Sequence, residues 1–544
     1  ACYPAKLCHG HIISLIENGV DTIFYPSVVY EKKEYKNVQN HYNCPIVISY
    51  PEVVRNNIDE IKSGQVRFIS PFLSLDDEKV LAKRICEEFS QFGVTLDEAK
   101  KAVKEACRER ERYRQDIRNK GEETLRLLRK SGKKGIILCG KPYHVDPEIN
   151  HGIAELISSY GLAVLTEDSV AHLADLNYKL RVVDQWTYNS RLYRAANLVC
   201  GEPDLELVQL NSFGCGLDAV TSDQIGEILA SAGKLYTIIK IDEGSNLGAA
   251  RIRIRSLIAA VQERERRACR PEKKEIDWKT PLFTRKMRGT HTILAPQMVP
   301  IHFELIREAL RASGYRMDVL PAVDRPAIDE GLKYVNNDAC YPAVILVGQV
   351  VRALKSGKYD PKNTSVIITQ SGGGCRATNY LALLKLGLRQ AGFPDVPLIS
   401  VNAAGLERQP GFKYSAGLLN RGLMALVYGD LFMRVLYRTR PYERFRGSAN
   451  ILFEKWMDAA KDNVRNGSYL KFRSNIRAII RDFDMLEISD VKKPRVGIVG
   501  EIFLKYHPTS NNDIVNILEQ EGAEAVVPDL MDYLLYSSYN ARFR

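Results

Sequence analysis

The chain has 544 residues, of which 45% are hydrophobic and 26% charged. That is the balance of a soluble globular protein, too long for one core and suited to about three or four compact units. The longest apolar stretch, AGLLNRGLMALVYGDLFMRVLY, is broken by Arg421, Asp430 and Arg434, so no membrane span is expected. The net charge of +11 sits largely in two stretches of mixed sign, 101–130 and 262–274. Both read as solvated helix faces; with no zinc-finger or RNP-type pattern and no single basic stripe, nucleic-acid binding is not expected.

In chain order, ACYPAKLCHGHI at the start is followed by a strand-like DTIFYP and then by NCP at Cys44. The charged run Lys101–Lys130 predicts a long helix. GIILCG, LAVLT and LYTIIKID predict strands, with helical patterns between them and a glycine-flanked Cys215 in SFGCGLDAV. Residues 266–290, polar and Pro-bearing, read as a linker. Beyond it HTILAP, MDVLP, SVIITQ, VPLISV and RVGIVG predict further strands. A charged helical insert carrying Trp456 falls between the last two, over roughly 440–490 as boundaries of this kind go. Strands alternating with amphipathic helices give an α/β class of doubly wound, mostly parallel sheets.

ACYP recurs at Ala339–Pro342, and the likeness extends further. Cys2 and Cys340 are 338 residues apart, Cys44 and Cys375 331, and His144 and His507 363. Gly135–Leu165 and Gly497–Val527 both run strand, Tyr-His, polar turn with Pro and Asn, helix, Gly, strand. The order is kept, so the chain reads as two tandem copies of one unit, 1–265 and 291–544. Copy two has a strand and helix ahead of its ACYP that copy one lacks, and copy one has a third cysteine, Cys215, that copy two lacks. The expectation is that the intact protein extends beyond both ends. The missing Gly-flanked cysteine would then fall at roughly 550–580 by the repeat offset.

Eleven cysteines without close regular spacing point to a reducing compartment, where they are buried, catalytic or metal-bound. Cys2, Cys44 and Cys215 each stand at an expected turn, two of them beside proline and one between glycines before a helix start. Glycine lets the backbone approach a bulky group, and free N–H groups at a helix start favour a negative one. Three thiolates from three loops suit an iron–sulfur cluster with one non-protein coordination position. Cys340 and Cys375 repeat the first two in copy two. Zinc, the other metal to weigh, usually shows C-x-x-C hooks, which are absent. Cys86, Cys107, Cys139, Cys200 and Cys269 lie on helix or strand patterns or in the linker and read as inert structural cysteines. Cys8 has no counterpart and is left out. His144 and His507 are candidates for a site role because they recur. TQSGGGC and GKPYH lack the rest of a phosphate loop, and no G-x-S-x-G or H-E-x-x-H occurs.

The stretches ACYPAKLCHGHI, HYNCPIV, GKPYHVDPEINHGI, SFGCGLDAVTSDQ, NNDACYPA and TQSGGGCRATNY resemble the 2-hydroxyacyl-CoA dehydratase and benzoyl-CoA reductase superfamily. They are most similar to its large activase-related members and double-cubane cluster proteins. The resemblance implies a cytoplasmic, oxygen-sensitive protein with a [4Fe–4S] cluster or a double cubane. Electrons would come singly from an ATP-hydrolysing activator with its own cluster. Dehydratase members use the electron to form a ketyl radical from a 2-hydroxyacyl-CoA; reductase members reduce a difficult bond. It further implies an acyl-CoA or other small-molecule substrate and admits a homodimer. No activator signature is present in these residues. The rival expectation is a non-catalytic iron–sulfur relay or scaffold.

Overall fold

The short Val/Ile/Leu runs form strands, and every named strand pairs in parallel. The structure, a computed structural model, describes residues 2–176, 179–244, 247–267, 278, 281–321, 325–401 and 409–540. Contacts divide the chain into two units. The first is Ala1–Trp278 with Asn336–Ala339 and Gly373–Asn379; the second is Lys279–Val335, Cys340–Gly372 and Tyr380–Arg544. The main division falls inside the stretch read as a linker. Two short pieces from beyond the linker nevertheless belong to the first unit.

In the first unit, β1 (Thr22–Phe24), β2 (Ser27–Tyr30), β3 (Arg67–Ile69) and β4 (Phe72–Ser74) make two small sheets, β1 with β3 and β2 with β4. The charged stretch then forms one helix, Leu96–Ser131. Its start is fixed by a capping box: Glu98 N–H donates to Thr95 Oγ1 (3.3 Å) and Thr95 N–H to Glu98 Oε2 (2.8 Å). Val103, Leu125 and Leu128 are buried while most charged residues face solvent. The main sheet holds β5 (Gly135–Cys139), β6 (Ala163–Thr166), β7 (Leu205–Ser212) and β8 (Tyr236–Ile241) in the order β6-β5-β7-β8. Ile136, Leu138, Val208, Leu210, Ile239 and Ile241 pack with Ile153, Ile157, Ile254 and Leu257 from the flanking helices. Each such side chain contributes about 1.5–3 kcal/mol of burial. β5 and β7 are neighbours, but β5 connects onward to β6 on one side and β7 to β8 on the other. This reversal opens a crevice beyond their carboxyl ends, where open α/β sheets take ligands.

The second unit has β9 (Thr292–Ala295), β10 (Arg316–Val319), β11 (Thr364–Thr369) and β12 (Leu398–Val401) in the order β10-β9-β11-β12, with the same reversal between β9 and β11. Its long apolar stretch is the helix Ala416–Thr439. Tyr428 and Phe432 pack there with Ile479 and Phe483 of the charged insert, which forms the helices Ser448–Asn466 and Tyr469–Asp484. Asp430, the residue that interrupts the apolar pattern, is buried and caps another helix: its carboxylate accepts from Leu530 N–H (2.7 Å) and Met531 N–H (2.9 Å) and lies 2.8 Å from His302 Nε2. Among the described residues no helix is long and apolar enough to cross a membrane.

β13 (Arg495–Gly497) and β14 (Glu524–Val526) pair in parallel as a two-stranded sheet. The segment joining β5 to β6 and that joining β13 to β14 share a sequence of local conformations. His151 and Gly152 both have positive φ before the helix Ile153–Ser158. Asn512 and Asp513 do the same before the helix Ile514–Gln520. Gly161 and Gly522 follow, each with positive φ, and then the second strand. The sheet context differs, since β5 and β6 stand within four strands.

A glycine inside the long helix reports on its packing. A Cβ at Gly121 would overlap the Ser169 carbonyl oxygen. Alanine is intrinsically better in a helix by about 1 kcal/mol, yet the backbone it would meet cannot swing aside. Gly121→Ala is expected to lower stability by about 1–3 kcal/mol, read as a lower urea midpoint. Equal or raised stability would mean that this helix does not lie against Ser169.

Candidate functional site

Cys2, Cys44 and Cys215 each occupy the N-cap of a helix: Tyr3–Glu17, Pro45–Asn57 and Gly216–Ser231. All three have extended backbone and no side-chain capping bond. Proline follows Cys2 and Cys44 within the first turn, where a missing N–H costs nothing. Gly214, with φ of +70°, turns the chain from β7 into Cys215. The first-turn N–H groups of three helices of 13 to 16 residues therefore lie beside the thiols, with the positive ends of their dipoles.

The three thiols also share one electrostatic neighbourhood. Burial pushes the Cys2 thiol up, and the charges of Cys44 and Asp218 add to the shift. Burial and then Asp218 push up Cys215, against the pull of Lys141, with Cys44 adding a further rise. The Tyr143 phenol is raised by burial and then by Asp218, Cys215, Cys2 and Cys44. Among the described residues, no three His, Cys, Asp or Glu side chains are gathered closely enough to hold a metal ion. The thiols are neighbours without forming a finished ligand set.

The crevice between β5 and β7 supplies polar residues that the sequence reading did not single out. Lys141, just past β5, is buried and lies 3.4 Å from Asp218 Oδ1; its ammonium also donates to Asn189 Oδ1. Asp218 is in the first turn of the Cys215 helix, and its Oδ2 is buried with no hydrogen-bond partner. Glu167, buried at the end of β6, is raised to about 7 by burial and by Asp168. A basic residue and an acid 77 positions apart carry no joint pattern, so only the fold reveals the pair.

His144 is buried in the turn after β5. Its Nδ1 accepts from Lys141 N–H (2.8 Å) and its Nε2 lies 3.3 Å from Ser212 Oγ, at the end of β7. His507 is buried in the second unit, stacked on Phe503 (4.8 Å between rings), with Nδ1 accepting from Ser510 N–H (3.3 Å) and Nε2 3.3 Å from Gln349 Nε2. The two histidines thus share burial but not hydrogen-bond partners. His144 belongs to the thiol neighbourhood through Lys141.

The remaining cysteines divide by unit. Cys340 caps the helix Tyr341–Lys355 in the second unit, and Tyr380 O–H donates to its sulfur (3.0 Å). Cys375 is exposed and belongs to the first unit with Cys2, Cys44 and Cys215. Cys86, Cys107 and Cys200 lie on helices, and Cys139 ends β5 with its thiol raised by burial. Cys8 lies on the first helix beside Tyr25, whose phenol is raised by burial and then by Cys8. Cys269 lies outside the described residues. Cys2, Cys8, Cys44, Cys86, Cys107, Cys139, Cys215 and Cys375 are free thiols.

Residues 1–170 match the family described as the CoA enzyme activase uncharacterised domain. That span carries Cys2, Cys44, Lys141 and His144 and ends just past β6. No curated protein and no solved structure matches the chain.

Burial lowers His144 and His507 to about 4, from an ordinary 6.5. Folding therefore expels a proton from each. Their contribution to stability is present above pH 6.5 and is lost as pH falls through about 4. Each accounts for roughly 3 kcal/mol across that window, at 1.36 kcal/mol per unit. Urea unfolding at pH 7 and pH 4.5 should show the loss, and His507→Gln should flatten the dependence by about one proton. An unchanged pH slope in that variant would contradict the burial of a neutral imidazole.

Proposed function

We propose that the chain is an iron–sulfur protein that accepts low-potential electrons from an ATP-hydrolysing activator. It would use them for a difficult reduction or for a radical dehydration of the 2-hydroxyacyl-CoA type. What supports this reading is that Cys2, Cys44 and Cys215, each at the N-cap of a helix, lie within electrostatic range of one another, Cys215 following β7 at the switch point of a parallel sheet. The match of residues 1–170 to an activase-related domain supports the partner class. The motif resemblance across both copies supports the superfamily.

The donor set fits a [4Fe–4S] cluster. Thiolates are its usual ligands, and helix N-termini favour its negative charge. When bound, it supplies one-electron chemistry at low potential. The chain's own residues do the rest. Burial raises the Cys2 and Cys215 thiols, and cysteine ligands give up their protons as metal arrives, so loading is coupled to proton release. Lys141 and the first-turn N–H groups offset the charge brought in. Burial excludes water from His144. Cys340 is the corresponding anchor in the second unit, where Tyr380 O–H already donates to its sulfur. A second cluster there, or a double cubane, belongs to the same reading, as does a cytoplasmic setting.

Anaerobic reconstitution tests it. The chain should take up about four irons and four sulfides for each cluster and give an EPR signal on reduction. Cys215→Ser should lose most of the iron assigned to the first unit. Failure of the unaltered chain to bind iron, or uptake indifferent to Cys2→Ser, Cys44→Ser and Cys215→Ser alike, would overturn the proposal.

A further inference from the structure

Cys375 follows three glycines in a segment, Gly373–Asn379, that the fold assigns to the first unit although the chain on both sides of it belongs to the second. The segment is pinned there. Trp186 Nε1–H donates to the Gly374 carbonyl (2.8 Å), Gln185 Nε2–H to the Cys375 carbonyl (3.1 Å), and Val183 N–H to Asn379 Oδ1 (2.7 Å). The residues on either side of Cys375 touch the approaches to two of the grouped thiols. A Cβ at Gly374 would come within 3.2 Å of the Tyr42 ring, two residues ahead of Cys44. A Cβ at Gly216, the residue after Cys215, would overlap the Arg376 guanidinium.

That guanidinium is placed against its electrostatic preference. Arg376 packs on the N-terminus of the Gly216–Ser231 helix, where the dipole is positive and a cation is normally disfavoured. Lys141 adds a buried cation at the same helix start. The first-turn carboxylate, Asp218, answers Lys141 through Oδ1 alone, and its Oδ2 is buried without a partner. With Lys141 answered by Asp218, the Arg376 guanidinium at a positive helix end is the partner for an anion seated beside it. A cluster held by thiolates is such an anion. The Cys375 sulfur already accepts from Ala377 N–H (3.4 Å), the kind of backbone bond to sulfur that tunes cluster potential. The glycines before it leave room for a bulky group to approach.

We propose that Cys375 is the fourth thiolate ligand of the cluster in the first unit, with Cys2, Cys44 and Cys215. The inference rests on the iron–sulfur reading above and changes its consequence. Four thiolates leave no iron open to substrate, so the first-unit cluster relays electrons and chemistry on a substrate takes place elsewhere. Binding releases one proton from Cys375 and involves no redox change in the protein.

The test uses the full chain, reconstituted anaerobically, with EPR of the reduced state in the presence and absence of cyanide as a probe for an open iron. In a Cys340→Ser background, which isolates the first unit, the spectrum should be indifferent to cyanide. Adding Cys375→Ala should keep most of the iron, shift the spectrum and make it cyanide-sensitive. A spectrum and cyanide response unmoved by Cys375→Ala would overturn the inference while leaving the cluster in place. Iron that never enters, or uptake indifferent to Cys2→Ser, Cys44→Ser and Cys215→Ser alike, would overturn the cluster reading and this inference together. A metal-free measurement separates placement from ligation. A short bis-maleimide should link Cys375 to Cys44, Cys2 or Cys215 in peptide maps, and absence of every such link would show that the segment does not lie at the thiols.

Discussion

The candidate site depends on one topological constraint: β5 and β7 are parallel neighbours whose onward connections leave to opposite sides. Two crossovers on the same side would close the carboxyl ends of the sheet. Reversal leaves a crevice whose walls are the turn after β5 and the turn after β7. The first turn carries Lys141 and His144, the second Ser212 and Cys215. Ordinary pairing thus brings residues about 70 positions apart into hydrogen-bond range, as His144 and Ser212 show. Cys2 and Cys44 enter the same electrostatic neighbourhood from two further helix starts. The sheet positions one thiol and the helix starts position the others.

Buried charge holds the Cys44 approach in register. Glu34 is nearly enclosed and accepts from Arg191 through both carboxylate oxygens (2.9 and 2.6 Å) and from Arg114 (2.7 Å). Arg114 belongs to the long charged helix and Arg191 to the helix Thr187–Gly201. The two arginines hold the Glu34 carboxyl below its usual range in spite of burial. Such pairs add little net stability, because desolvation offsets most of the attraction, but losing one partner costs about 3–5 kcal/mol. Their value here is positional. Glu31 and Asn43 bond within the same loop (2.9 Å), so the chain arrives at Cys44 along a path fixed from both sides.

Much of this was legible in the sequence, for physical reasons. The eight quoted apolar runs are all strands; β5, β9 and β11 fit the rule that a parallel strand buried on both faces is continuously apolar, whereas β13 is exposed throughout. Proline after Cys2 and Cys44 marked turns there, with Cys340 repeating Cys2, and the structure makes each of the three a helix N-cap. β7 was not legible. LELVQLNS mixes Glu206, Gln209, Asn211 and Ser212 among its apolar residues, and all four are buried because the fold gives them partners: Glu206 meets Lys234 and Arg264, and Gln209 accepts from Tyr236 (2.6 Å). Nor could the repeat show where Cys375 belongs. Matching offsets placed it with Cys340, whereas hydrogen bonds to Trp186 and Gln185 draw its segment into the first unit. A repeat reports ancestry of pattern; side-chain contacts decide which core a loop joins.

The titrating groups around the crevice share one bias. Cys2, Cys215 and Tyr143 are raised, His144 is lowered and Glu167 is raised to about 7. In each case burial is the largest cause, and in each case it favours the uncharged form. The charged groups that remain are Lys141 and Asp218, which face one another, the Arg376 guanidinium at the start of the Gly216–Ser231 helix, and the helix ends. A site built to bind a cation would show preformed carboxylates, as calcium loops do. What stands here is a pair of thiols, Cys2 and Cys215, that burial holds toward the neutral form, backed by positive helix ends, which gains its negative charge only as protons leave and metal enters. That asymmetry suits a group assembled in place, whose charge the surrounding helix ends then hold.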